Sequence, residues 1–388
     1  MLHRIVLQNF RNLSDVDLQL HPGVTVISGR NGHGKTNLLE AIHWVTQGWS
    51  FRTRKFDAAV RMGAEETWLR MEGTAHNGRT HQQGILWRNG ELSIKVNGEE
   101  AKSLAALHGH LYAIMLGPDD IELIKEGPEK RRRWLDLILA ERYADGLELL
   151  MRYRRVLAQR NRLLKDWRAA QIPPSSADIA VLDAFSVQLA GLGATIIFRR
   201  AQLVQELAPA ISSYYTQLSN AAESIGLRYR SSVQVDLNEP TCDETFLAGK
   251  LLRKLAALRS LELSQGSTAA GPHKDDLELR FIQSSAMLRE VGSQGQCRTA
   301  ALAMGLVALD VALRLDSEPP LLLLDDIFAE LDADRRAALA SLIRTKACQV
   351  LIATPRAEDL PFAGDQFIEL DHGAVRAGVT ISCKGEIP

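Results

Sequence analysis

The chain has 388 residues, 46% of them hydrophobic and 24% charged, with a formal net charge of −1. That length supports two or three domains with real cores, and the near-neutral balance excludes nucleic-acid binding by bulk charge, leaving only local basic patches. No apolar run approaches the roughly 18–20 residues that span a bilayer, and "MLHRIVLQNFRNL" lacks the apolar stretch of a signal peptide, so a cytoplasmic protein without membrane contact is expected.

Residues 1–28 read as strands, with alternation in "HRIVLQNF" and "VDLQL" and a short β-branched run in "GVTVISG". A helix is predicted from Lys35 to Gln47. Strand-like stretches follow at 67–75, 85–88 and 92–97. Asn89-Gly90 signals a type I′ hairpin and Asn97-Gly98 another turn, so this region predicts an antiparallel β patch. "HGH" at 108–110 could hold a metal, but without Cys or carboxylate neighbours it reads as a loop or helix end.

From Glu129 the chain turns charged and leucine-rich at helical spacing, through Leu135, Ile138, Leu139, Leu147, Leu150 and Met151. Pro173-Pro174-Ser175-Ser176 breaks this run before a second helical stretch over 178–220. "LRYRSSVQVDL" reads as a strand and 243–264 as a helix. Helical pieces of roughly 30–40 residues would be about 45–60 Å long, and no heptad pattern persists into an extended coiled coil. From residue 271 strands return with "LELRFI", "LLLLDD" and "QVLIATP", separated by an apolar helix near 299–313 and a helix capped by Asp332. Cys242, Cys297, Cys348 and Cys383 lack metal-ligand spacing and are read as reduced thiols.

Three motifs carry chemistry. "GRNGHGKT" places Gly29, Arg30, Asn31, Gly32, His33, Gly34, Lys35 and Thr36 between a strand and a helix, as a phosphate-binding loop requires. Its backbone N–H groups and the helix dipole would cradle phosphates, Lys35 would neutralise β- and γ-phosphate oxygens, and the Thr36 hydroxyl would bind Mg²⁺. "LLLLDD" is a buried strand ending in two carboxylates. Asp325 would share the Mg²⁺ with Thr36, and Asp326 would act on the attacking water. The third motif is "SQGQ", where Ser293, Gly295 and Gln296 head a buried helix. That polar start suits an anion. It is best placed to hold, in trans, the γ-phosphate bound to a second copy, so that ATP would drive a homodimer. The two phosphate-site motifs lie about 290 residues apart, which predicts one head built from both chain ends around an inserted helical middle. The expected division is 1–128 for the first part of the head with the β patch, 129–265 for the helical arm domain, and 266–388 for the rest of the head.

Together these motifs resemble the ATPase heads of ABC-type proteins of the SMC kind, and "LQNFRN" is similar to the opening strand of that group. "PDDIELIKEGPEKRRRWLD", "TAAGPHKDDLELRF" and "LLLLDDIFAELDADRRAAL" narrow the resemblance to the RecF family of bacterial recombination mediators. The implied fold is α/β: an ABC-type, SMC-like P-loop ATPase head with an antiparallel β patch and an inserted helical arm. The resemblance implies an ATP-dependent homodimer that binds single- and double-stranded gapped DNA. It also implies work with RecR and RecO to load RecA, and support of fork repair and the SOS response. Asp326 stands where ABC ATPases generally use Glu, which suits a slow, DNA-stimulated ATPase acting as a switch. Clusters containing Arg52, Arg54, Lys55, Arg131, Arg132, Arg152 and Arg155 are the candidate DNA contacts, since duplex phosphates attract such clusters without sequence readout. An SMC-like chromosome organiser would need far longer arms. A transporter ATPase would need a histidine where Thr354 stands, and a metabolite kinase would have no use for the SQGQ helix.

Overall fold

The computed structural model describes residues 1–53, 55–74, 78–107, 111–171, 173–220, 223–235, 242–314 and 319–379. The HGH segment at 108–110, Arg54 and Cys383 lie outside the described residues. The chain forms two compact units. The first contains the described residues of 1–120, 217–220 and 301–379, and the second those of 121–216 and 223–300. The chain passes from one unit to the other near 120 and near 300, so the apolar helix near 299–313 begins in the second unit and continues in the first.

The first unit opens with β1 (Leu2–Phe10), β2 (Leu13–Gln19), β3 (Val24–Ser28) and helix α1 (Lys35–Gln47). β4 (Glu66–Thr74), β5 (Thr80–Arg88), β6 (Glu91–Val96), β7 (Glu99–Ala101) and β8 (Ala113–Leu116) follow. An antiparallel sheet has the order β2-β1-β4-β5-β6-β7, so the predicted patch is joined by the first two strands. Asn89 and Gly90 both have positive φ, as a type I′ turn demands. α1 is buried almost all round because it lies between this sheet and a second one. Leu38, Leu39, Ile42, Trp44 and Val45 join one core with strands from both. Gly48, in the left-handed region, ends the helix and donates to Trp44 O.

The second unit contains α2 (Ile121–Lys125), α3 (Pro128–Arg142), α4 (Gly146–Ala170) and most of α5 (Ser176–Leu218). β9 (Ile225–Arg230), α6 (Glu244–Ala257), α7 (Arg259–Gln265), β10 (Asp276–Phe281), α8 (Leu288–Val291) and the start of α9 (Gln294–Arg314) complete it. Pro128 begins α3 at a position where its missing N–H costs nothing. α4 and α5 run antiparallel about the proline break: Arg160 meets Ser186 near the turn, and Arg199 meets Asp145 farther from it. α5 has 43 residues, about 64 Å at helical rise, which is too short for an SMC-type arm. β9 is shorter than the strand predicted over 227–237, and it pairs antiparallel with β10.

The "GPHKDD" segment folds into a buried polar knot. Asp275 is fully buried, accepts from Tyr229 Oη at 2.5 Å and from Ser232 N at 2.7 Å, and its carboxyl is pushed upward by burial. His273 Nδ1 lies 2.6 Å from Tyr153 Oη, and burial lowers its pKa to about 4, so the ring is neutral at physiological pH.

The chain returns to the first unit through β11 (Leu321–Asp325), α10 (Ala333–Arg344), β12 (Val350–Thr354), β13 (Gln366–Asp371) and β14 (Ala374–Val379). Asp332 caps α10 as expected, accepting from Arg335 N at 2.9 Å. The second sheet has the order β14-β13-β3-β12-β11-β8, parallel except for β14. Two helices, α5 and α9, prove long and apolar enough by length and composition to cross a membrane, contrary to the expectation that no stretch would be. Polar residues interrupt both helices, so neither contains an unbroken apolar run long enough to span a bilayer. Protein covers 61% of that stretch in α9, the mark of a core helix, and Arg199 and Arg200 tie α5 to Asp145 and Asp136.

Candidate functional site

In the second sheet, β12 lies between the strand that precedes the phosphate loop and the strand that carries the two acids. Ser28 of β3 is level with Thr354, and Ala353 is level with Asp325. The carboxyl ends of β3, β12, β11 and β8 therefore share one edge, where α/β sheets bind ligands. Thr354, buried at the end of β12, donates to Arg356 O at 3.1 Å.

The glycines of the loop are obligatory. Gly29 has φ 154°, and a Cβ there would lie 2.4 Å from Leu370 O. Gly34 has φ 105°, and its Cβ would meet Leu13 and Asn12 inside 3 Å. Asn12 Nδ2 donates to Gly32 O at 2.8 Å, while Asn12 Oδ1 accepts from Asn37. Lys35 is only 4% exposed, and its ammonium donates to Gly29 O at 2.8 Å and, weakly, to Arg30 O. The charge is thus stored inside the loop, solvated by the loop's own carbonyls.

Thr36 Oγ1 donates to Asp325 Oδ1 at 3.0 Å, joining residues 289 apart in sequence. Burial raises the Asp325 pKa to about 6. The Thr36 hydrogen bond opposes this shift, the charge of Asp326 adds to it, and Lys35 again opposes it. Asp326 sits in the left-handed region at φ 48°, a strained setting for a residue with a Cβ. Its Oδ1 is buried without a hydrogen-bond partner, and burial pushes its carboxyl upward against the pull of Lys35. A hydroxyl and a carboxylate in contact form a hard oxygen donor set that fits Mg²⁺. The buried Asp326 oxygen is an acceptor without a donor among the described residues.

The first turns of α1 are braced from behind. Glu40 is fully buried, yet it accepts from Arg11 at 2.7 and 3.1 Å and from Ser50 Oγ at 2.5 Å, with Arg52 at 3.5 Å. Sequence reasoning gave no role to Asn12 or Glu40. The phrase "FRN" was visible, but only the fold shows that Asn12 holds the loop.

Ser293, Gly295 and Gln296 lie in the second unit. Ser293 N donates to Gln296 Oε1 at 2.7 Å, and Gln296 N donates to Ser293 Oγ at 3.2 Å, a reciprocal capping box at the head of α9. Gln296 Nε2 also donates to both oxygens of Glu223, at 2.8 and 2.7 Å. Ser293 remains exposed.

Among the cations expected to meet DNA, Arg131 is a correction. It is 2% exposed, clasps Asp276 at 2.8 and 3.1 Å, and caps the carbonyls of Leu123, Ile124 and Glu126. A buried guanidinium with all three nitrogens engaged inside the fold is not offered to phosphates. Arg132 donates to Asp275 O, and Arg52 is held by Asn37 and Glu40. Lys55, Arg152 and Arg155 are exposed, Arg152 having only a loose 3.9 Å approach to Glu148.

Comparison with known proteins shows the family. The RecF/RecN/SMC N terminal domain family matches residues 1–375. A Symbiobacterium thermophilum protein described as "DNA replication and repair protein RecF" is 36% identical over 359 residues, 92% of each chain. A Synechococcus protein of the same description is 34% identical over 375 residues, 95% of this chain and 96% of that one. A solved structure of the recombination mediator protein RecF with ATP, in the RecFOR pathway, superposes with a TM-score of 0.85 at 32% identity, covering 98% and 99% of the two chains. A Pyrococcus furiosus Smc head, at 18% identity and a TM-score of 0.61, shares the fold.

Proposed function

This chain belongs to the RecF family, with its ABC-type, SMC-like ATPase head, and from that premise we propose that it is an ATP-dependent DNA-binding protein of replication and recombinational repair. The observation that carries the reading is the Thr36–Asp325 contact, which assembles one nucleotide site from the two ends of the chain. Relatives described as DNA replication and repair proteins, and a solved relative that holds ATP, support it.

In this reading Gly29–Thr36 wraps the phosphates of ATP, and Lys35 turns from the loop carbonyls to the β- and γ-phosphate oxygens. Thr36 and Asp325 would hold Mg²⁺, which would supply charge neutralisation to the phosphates. Asp326 accepts a hydrogen bond from the attacking water and orients it. Being shorter than Glu, it reaches less far, which fits slow turnover and a role as a switch. Ser293, Gly295 and the N-terminus of α9 complete the site of a second copy, with Gln296 braced by Glu223, so the homodimer closes on ATP and loosens after hydrolysis. The exposed cations Lys55, Arg152 and Arg155 meet duplex and gapped DNA. The finer assignment is action with RecR and RecO at gaps, leading to RecA loading, fork repair and the SOS response. It is supported by the RecFOR setting of the solved relative.

Sedimentation with and without ATP, and with and without gapped DNA, tests this. ATP is expected to convert monomer to dimer and to tighten DNA binding, and Ser293→Arg is expected to keep ATP binding while preventing the dimer. A salt-independent DNA affinity that ignores ATP contradicts the reading.

A pH effect follows from Asp325. Between pH 7 and pH 5 its ionised fraction falls about tenfold around a pKa of about 6. Mg²⁺-dependent ATP affinity is expected to fall by about that factor, and Asp325→Asn to be flat over the range. The sign for metal-free stability is opposite. The folded pKa lies above the unfolded 3.8, so the group's contribution is fully present below pH 3.8 and is lost as pH rises through about 6. Calorimetric ATP titration and melting curves at each pH measure both.

A further inference from the structure

We propose that His33, Asp371 and His372 form a binding site for one d-block divalent cation, with Zn²⁺ the best match, that straps the phosphate loop to the β13–β14 turn. The metal-binding atoms of the three side chains lie within 4.8 Å of one another. His33 Nδ1 is 3.3 Å from Asp371 Oδ1, and His372 Nε2 is 3.9 Å from the same oxygen. Around a tetrahedral zinc with bonds of about 2.0–2.1 Å, neighbouring ligand atoms stand about 3.4 Å apart. The His33–Asp371 pair already has that spacing. His372 has to close by about half an ångström on Asp371 and by up to about 1.4 Å on His33, from a side chain that is 86% exposed.

The surroundings are those of a supported site. Arg376 Nη2 holds Asp371 Oδ2 at 2.5 Å, which leaves Oδ1 facing the two rings, and Glu369, 3.7 Å from Arg376 Nη1, offsets the added positive charge. His33 is held at 12% side-chain exposure, and Gly373 N donates to His33 O at 3.1 Å, so loop and turn are already joined by their backbones. The two imidazole rings lie with centroids 4.5 Å apart, tilted by 34°. Two imidazoles and one carboxylate favour Zn²⁺, Co²⁺ or Ni²⁺ over Mg²⁺, whose oxygen ligands here are Thr36 and Asp325. Three protein ligands leave a fourth position for water. Cys348 and Cys297 compete poorly, since burial pushes Cys348 up to about 11 and raises Cys297 as well.

The test is a calorimetric titration of chelator-treated, nucleotide-free protein with Zn²⁺ alone, with melting temperature as a second readout. One ion per chain is expected, together with a melting temperature that climbs with Zn²⁺ concentration. His372→Ala, at an exposed position that does not threaten folding, is expected to weaken binding by at least about tenfold, the scale on which even outer-shell partners act. His33→Gln is expected to do the same, while Asp325→Asn leaves Zn²⁺ binding unchanged. The proposal is overturned if the wild type shows no saturable binding, if both histidine variants bind as the wild type does, or if Asp325→Asn alone abolishes binding.

Discussion

Lys35→Ala is expected to lower ATP affinity by about 100- to 1,000-fold while leaving the melting temperature nearly unchanged. The ammonium is 4% exposed, and its two hydrogen bonds go to carbonyls of its own loop, at 2.8 and 3.4 Å. It therefore contributes little to holding the fold together, and removing it also removes the cost of burying a charge. Against a phosphate the same charge acts at close range in a partly desolvated site, where an ion pair at about 4 Å is worth about 4 kcal/mol at an effective dielectric of 20. Loss of most of that interaction gives the stated factor. Calorimetric ATP titration alongside a thermal melt separates the two effects. A large fall in melting temperature with unchanged affinity contradicts the role given to Lys35.

Glu262→Ala is expected to destabilise the second unit by about 3–5 kcal/mol, because it strands a buried guanidinium. Arg160 and Glu262 are 1% and 0% exposed and meet at 2.6 Å. Arg160 also donates to Ser186 Oγ and Thr268 Oγ1, and the other oxygen of Glu262 accepts from Ala269 N at 2.8 Å. One pair thus ties together α4, α5, α7 and the segment leading to the GPHKDD knot. Arg160→Met in the Glu262→Ala background is expected to recover part of the loss, since an uncharged pair needs no partner charge. Urea denaturation of the single and double variants measures it, and a double variant at least as unstable as the sum of the singles contradicts it.

What could be seen in the sequence was local. Lys35–Gln47 has its glycines at both ends, Asp332 precedes an apolar face, Asn89-Gly90 is a turn by its chemistry, and Pro173-Pro174 cannot continue a helix. The nucleotide loop and the acidic strand were visible for the same reason, because each is a contiguous motif. The strands β8, β13 and β14 were missed. β8 spans four residues, and the β13–β14 hairpin turns on His372-Gly373, a weaker signal than Asn-Gly. The fates of the cations were invisible. Arg131 and Arg160 look like their exposed neighbours in sequence, and their partners Asp276 and Glu262 lie 145 and 102 residues away. Ser293 had two readings in one pattern. A serine followed three residues later by glutamine is a capping box and can also start an anion site, and the fold realises the first while leaving Ser293 exposed.

The division of labour between two copies is tested most directly by mixing Lys35→Ala protein with Ser293→Arg protein and measuring ATP hydrolysis on gapped DNA. Each variant alone is expected to be inactive. An equal mixture is expected to regain hydrolysis, up to about half of the wild-type rate, because neither variant dimerises with itself and each mixed dimer holds one sound pocket of two. A mixture as inactive as its components, beside a wild type that hydrolyses ATP at full rate as a monomer, contradicts it.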